Sequence, residues 1–100
     1  MRENAGGASV MTIKLNIHKT HRQYTDGLET LDVAGSTIGA CIDELIHRFP
    51  AMKDALFDGK EKLKNQIEIY LNMESAYPDE LKKKVTAGDE IYITVMLTGG

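Results

Sequence analysis

The chain has 100 residues, 42% of them hydrophobic and 27% charged, with a net charge of −3: the size and composition of one small globular domain. A single modest core leaves little room for a deep catalytic cavity, so a carrier, binding or subunit role fits better than an enzyme working alone. No apolar run reaches the roughly 18–20 residues of a membrane span. The opening MRENAGGASV holds no apolar block of the kind a secretory signal needs, and the lone Cys41 excludes an internal disulfide; the acidic balance does not suit a dedicated nucleic-acid binder.

Residues 1–10 are small and polar and read as a disordered tail or a vector-derived remnant, with Met11 as a candidate natural start. The domain is expected over 11–100. Residues 11–18, MTIKLNIH, place Ile13, Leu15 and Ile17 on one side and Thr12, Lys14 and Asn16 on the other, the period-2 pattern of a half-buried strand. A polar stretch over 19–27 ends in Asp26-Gly27, a turn signal. Residues 28–33 resume a strand with Leu31 and Val33 in phase, giving a hairpin with a long loop.

Gly35-Ser36-Thr37 then introduces a helix, with Ser36 as the expected N-cap. Ile38, Cys41, Ile42, Leu45, Ile46 and Phe49 follow at helical spacing. His47 and Arg48 sit near its C-terminal end, where the dipole favours positive charge, and Pro50 stops it. Ala51 to Phe57 is compatible with a short helical turn, and Asp58-Gly59 with a break. Residues 66–72 alternate again through Ile67, Ile69 and Leu71. Residues 73–84 are irregular or briefly helical around Pro78-Asp79. Ala87-Gly88-Asp89 makes a tight turn before a last strand over 90–97, with Ile91, Ile93, Val95 and Leu97 on one side and Tyr92, Thr94 and Met96 on the other. The element order predicts an α+β, two-layer domain: a mixed sheet of four to five strands, the first and last near its centre, with one main helix on one face.

The chain ends Thr98-Gly99-Gly100. Glycine lacks a Cβ, so a Gly-Gly tail is thin enough to thread a narrow channel and present its carboxylate to another protein. With the helix opened by GSTIGACIDELIHRFP and the turn and strand AGDEIYITVML, this ending resembles the ThiS/MoaD family of ubiquitin-like sulfur carriers over residues 11–100. The resemblance implies a β-grasp fold and a reactive C-terminus. In that family a ubiquitin-activating-type adenylating enzyme uses ATP to activate the terminal carboxylate as an acyl adenylate. A sulfur donor converts this to a thiocarboxylate, which serves a sulfur-accepting enzyme of cofactor or amino-acid biosynthesis, thiamine and molybdopterin pathways among them. Carried over, the modified group is the carboxylate of Gly100, with Gly99 and Thr98 giving access. The chain itself then binds no cofactor and holds no catalytic residue, ATP being the partner's substrate.

Three other roles stay open: the small subunit of molybdopterin synthase, docked on its large subunit; a ubiquitin-like protein modifier; and a plain interaction module. On the sheet face away from the helix, Tyr70, Tyr92 and Met96, continued by Leu97, form the expected docking surface, since Tyr is enriched at interfaces and Met adapts to partners. His18, His21 and His47 are too few for a metal centre, and none is expected. Cys41 lies on the apolar helix stripe and reads as a buried small residue. Neither a nucleic-acid nor a membrane partner is expected, and the compartment is cytoplasmic.

Overall fold

The computed structural model describes residues 12–96; the expected tail over 1–10, and the segment Leu97, Thr98, Gly99 and Gly100, lie outside the described residues. Five strands form one mixed sheet: β1 (Thr12–Ile17), β2 (Thr30–Ala34), β3 (Ile67–Leu71), β4 (Glu74–Ser75) and β5 (Glu90–Val95). Their order is β2-β1-β5-β3-β4. β1 and β2 are antiparallel, with Leu15 opposite Leu31. β1 and β5 run parallel, with Leu15 opposite Ile91 and Ile17 opposite Ile93. β3 is antiparallel to β5, with Ile69 opposite Ile93. The first and last strands thus occupy the middle of the sheet, as their clean alternation predicts.

The main helix α1 (Ile38–Arg48) buries Ile38, Cys41, Ile42 and Leu45 against the inward side chains of β1, β2, β3 and β5, making one core. A second short helix, α2 (Ala51–Leu56), adds Met52 and Leu56, an i,i+4 pair. The N-cap of α1 is Thr37 and not Ser36. Thr37 has extended backbone and its hydroxyl accepts from the Ala40 N–H at 3.1 Å. The Ser36 carbonyl is instead taken by the Val85 N–H at 3.1 Å, a tertiary bond that fixes where the chain turns into the helix.

Three local devices hold the connections. Thr25 is fully buried, and its hydroxyl donates to the Leu28 carbonyl at 2.9 Å, closing the long β1–β2 loop. That loop is a 3-10 turn over Lys19–Tyr24 followed by Asp26 and Gly27 in the left-handed region. Asp58 Oδ1 accepts from the backbone N–H groups of Lys60 and Lys62 at 2.8 and 3.0 Å. These bonds, Lys62's first, hold its carboxyl below the usual carboxylate range. A second 3-10 turn, Glu80–Lys82, lies across the start of α1. There a Cβ on Gly39 would stand 2.9 Å from the Leu81 carbonyl oxygen.

Candidate functional site

The candidate site lies where the chain leaves β5. This strand is hydrogen-bonded on both sides, to β1 and to β3, and is the central strand of the five. Ile91 and Ile93 are buried, while Val95 is only partly buried. The Met96 N–H donates to the Gln66 carbonyl at 2.6 Å, and Met96 is 43% exposed. The described residues end at Met96, one residue past this central strand.

The start of β5 is also fixed. Gly88 has φ +92, a backbone state that glycine adopts without strain. Asn72 Nδ2 donates to Asp89 Oδ1 at 3.0 Å, the Glu90 N–H donates to Asn72 Oδ1 at 2.9 Å, and the Thr86 N–H donates to Asp89 Oδ2 at 2.8 Å. The Asn72 bond and then the Thr86 N–H hold the Asp89 carboxyl below its usual range. Asn72 is a residue sequence reading missed. Its signal is an asparagine at a strand end, where it takes φ +50, one of the few non-glycine types enriched in that region.

On the sheet face away from α1, Tyr70 stands directly opposite Tyr92. These two residues of the expected docking surface thus face each other across neighbouring strands. Their surroundings are polar. Tyr70 Oη donates to Glu68 Oε1 at 3.2 Å, and the Glu68 charge pushes the phenol upward. Thr94 Oγ1 donates to the Glu68 carbonyl at 3.1 Å, and Asn16 Nδ2 donates to the Ile91 carbonyl at 3.2 Å. Met96 does not extend this pair into one patch. It lines a separate groove of about 740 Å³ with Leu63, Ile67, Tyr77 and Leu81, whereas Tyr92 lines a smaller one of about 380 Å³ with Asn16, His18 and Arg22.

Cys41 is fully buried on α1, and burial, then Glu44, pushes its thiol up to about 11; a thiol so placed is neither a nucleophile nor a metal ligand at neutral pH. Among the described residues no three His, Cys, Asp or Glu side chains are grouped to hold a metal ion, and no helix is long and apolar enough to cross a membrane.

No protein-family profile matches the chain. Among characterised proteins it is similar to the sulfur carrier protein CysO of Mycobacterium tuberculosis and of Mycobacterium bovis. Each is 27% identical over 93 residues, covering 90% of this chain and 100% of the relative. Among solved structures it superposes on a chain of the Amycolatopsis orientalis BexX/CysO complex with TM-score 0.79 and 28% identity, over 88% of this chain and 99% of that one. It also superposes on Mycobacterium tuberculosis CysO with TM-score 0.78 and 25% identity, over 85% and 99%. Small archaeal modifier protein 1 of Haloferax volcanii shares the fold, with TM-score 0.78 at 24% identity over 89% of this chain and 99% of that one. Sequence and fold agree over nearly the whole domain: the chain has the ubiquitin-like β-grasp fold and is similar along its length to the CysO sulfur carriers.

Proposed function

We propose that this protein carries sulfur as a thiocarboxylate on Gly100. The observation that supports this reading best is the similarity to CysO sulfur carriers across their full length, in a chain whose last two residues are Gly99-Gly100. A carboxylate resists nucleophiles because its oxygen is a poor leaving group. A partner adenylating enzyme removes that barrier. A Gly100 oxygen attacks the α-phosphorus of ATP, pyrophosphate departs, and the acyl adenylate forms. Sulfide then adds at the carbonyl carbon and AMP leaves, so one C–O bond is exchanged for one C–S bond without net oxidation. The phosphate site and its electrostatics belong to the partner. This chain supplies a firm base in β5 and a docking surface around Tyr70 and Tyr92, with Met96, Leu97 and Thr98 leading to the reacting group. The thiocarboxylate then serves an acceptor enzyme of cofactor or amino-acid biosynthesis.

The test is intact mass after incubation with ATP, sulfide and the adenylating enzyme. The expected gain is one oxygen exchanged for sulfur, located at Gly100 and absent when Gly100 is deleted. No gain, with the enzyme active on its own carrier, overturns the proposal. Lysine-linked adducts in place of a thiocarboxylate would assign the same activated Gly100 to protein modification.

A further inference from the structure

His21 is 7% exposed, and its ring Nδ1 is buried without a hydrogen-bond partner. It sits in the Lys19–Tyr24 turn between two other rings, with centroids 6.3 Å from His18 and 6.3 Å from Tyr24. The turn packs against α2, whose Met52 and Leu56 are buried and whose Lys53 and Asp54 are exposed. Burial lowers the affinity of the ring for a second proton, and so do the neighbouring charges of His18 and Lys64. Neither of those is a carboxylate, so nothing in that set offsets a charge on the ring. An imidazolium carries N–H on both nitrogens; with the neutral ring in its Nε2–H tautomer, which leaves no unpaired N–H at the partnerless Nδ1, protonation creates a buried, unpaired N–H there, and such a group is costly.

The same turn lines the groove beside the tyrosine pair. His18, Lys19 and Arg22 stand on one side of that groove, and Asn16, Tyr92 and Thr94 come from the sheet. Arg22 is tied back by its Nε, which donates to the Ile17 carbonyl at 3.1 Å. We propose that His21 is a proton-operated latch: neutral, it holds the Lys19–Tyr24 turn against the body of the domain; protonated, it releases the turn and removes one wall of the groove beside Tyr92. The interaction surface on this side of the sheet is thereby gated by mild acid. The latch does not depend on the sulfur-carrier reading.

The sign follows from linkage. The closed form binds the second proton more weakly than the open form, whose histidine has the ordinary value of 6.5. Closure is therefore at its most favourable above about pH 6.5 and weakens as the pH falls below it, down to the lower value of the closed ring. Within that window the open population rises by up to about tenfold per pH unit.

The test uses the full chain. Amide hydrogen exchange is measured from pH 8 to pH 4.5 and corrected for intrinsic chemistry, while the His21 ring is titrated by nitrogen-detected NMR. The reporters are the N–H groups of Thr25, Gly27 and Leu28, which bond to the carbonyls of Arg22, Arg22 and Thr25. Their protection is expected to fall below about pH 6.5 by up to about tenfold per unit, with β5 amides unchanged, and His21→Leu is expected to abolish the fall. Protection independent of pH, a fall shared by β5, or an undiminished fall in His21→Leu overturns the latch. Should His21→Leu fail to fold, the unmodified protein decides: a His21 midpoint below 6.5 together with a loss of Thr25, Gly27 and Leu28 protection that begins below about pH 6.5 and levels off at that midpoint supports the latch, and a midpoint at or above 6.5, or protection that does not follow the ring's titration, refutes it.

Discussion

Ile42→Ala is the sharpest test of how the helix is packed. Ile42 is fully buried at the centre of α1's apolar stripe, with Ile38, Cys41 and Leu45 around it. The substitution removes three carbons from the core. At about 0.8 kcal/mol for each buried carbon, the transfer loss alone is about 2.4 kcal/mol. The sheet beneath is held by ladders on both sides of β1 and β5, so the site collapses poorly and a residual cavity adds to the loss. The expected total is about 3–4 kcal/mol, within the ~2–5 kcal/mol range for such truncations. That is a large part of the ~5–15 kcal/mol stability of a typical domain. Urea unfolding followed by circular dichroism reads this as a lower midpoint at unchanged slope. Ile42→Val is expected to cost only about 0.5–1.5 kcal/mol. Leu28→Ala, at a side chain 42% exposed, is expected to cost under about 1 kcal/mol. An Ile42→Ala loss no larger than that of Leu28→Ala would refute the packing described above.

Gly39→Ala should destabilise the domain even though alanine is the better helix former by about 1 kcal/mol. The new Cβ would stand 2.9 Å from the Leu81 carbonyl oxygen, so the Glu80–Lys82 turn must shift. A net loss of about 1–3 kcal/mol in thermal or urea unfolding is expected, and a gain would show that the turn yields freely. Asn72→Ala removes one acceptor and one donor at the entry to β5, and about 1 kcal/mol of stability is expected to go with them. The same network gives a pH dependence. Asp89 is depressed below its ordinary 3.8, so its contribution is present above about pH 3.8 and is lost as the pH falls through the lower folded value. Asn72→Ala should flatten that acid limb in a stability titration; an unchanged limb would remove Asn72 as the cause. Tyr92→Ala, at a half-buried outward position, is expected to cost under about 1 kcal/mol of stability while weakening binding to the proposed adenylating partner at least several-fold by calorimetry. The reverse pattern would place Tyr92 in the core.

Much of the fold was legible because its strands are half-buried and its helix is amphipathic. Ile13, Leu15 and Ile17 in β1, and Ile91 and Ile93 in β5, alternate with polar neighbours, and that pattern admits one inward face only. The illegible parts depend on partners distant in sequence. Two residues, Glu74–Ser75, are too short to display a period; they form a strand because Ser75 meets Tyr70 across the turn at Asn72 and Met73. The helix is capped by Thr37 and not Ser36 because Val85 claims the Ser36 carbonyl. Nothing near Gly39 in the sequence announces the approach of Leu81.

The site divides in the same way. The pairing of Tyr70 with Tyr92 follows from strand phase once β3 and β5 are neighbours, so it was readable in advance. The position of Met96 was not, because phase holds only while a strand lasts. β5 ends at Val95; beyond it the Met96 N–H turns to Gln66, and its side chain joins Leu63 and Tyr77 instead of Tyr92. The outward side of β5 is therefore two surfaces and not one. A partner that grips Tyr92 meets the basic turn of Lys19 and Arg22, whereas a partner that follows the chain toward Gly100 meets Met96 and the apolar residues beside it. A single enzyme that both docks on this domain and acts at its end has reason to touch both, and substitutions at Tyr92 and Met96 should then weaken binding additively, as independent sites do.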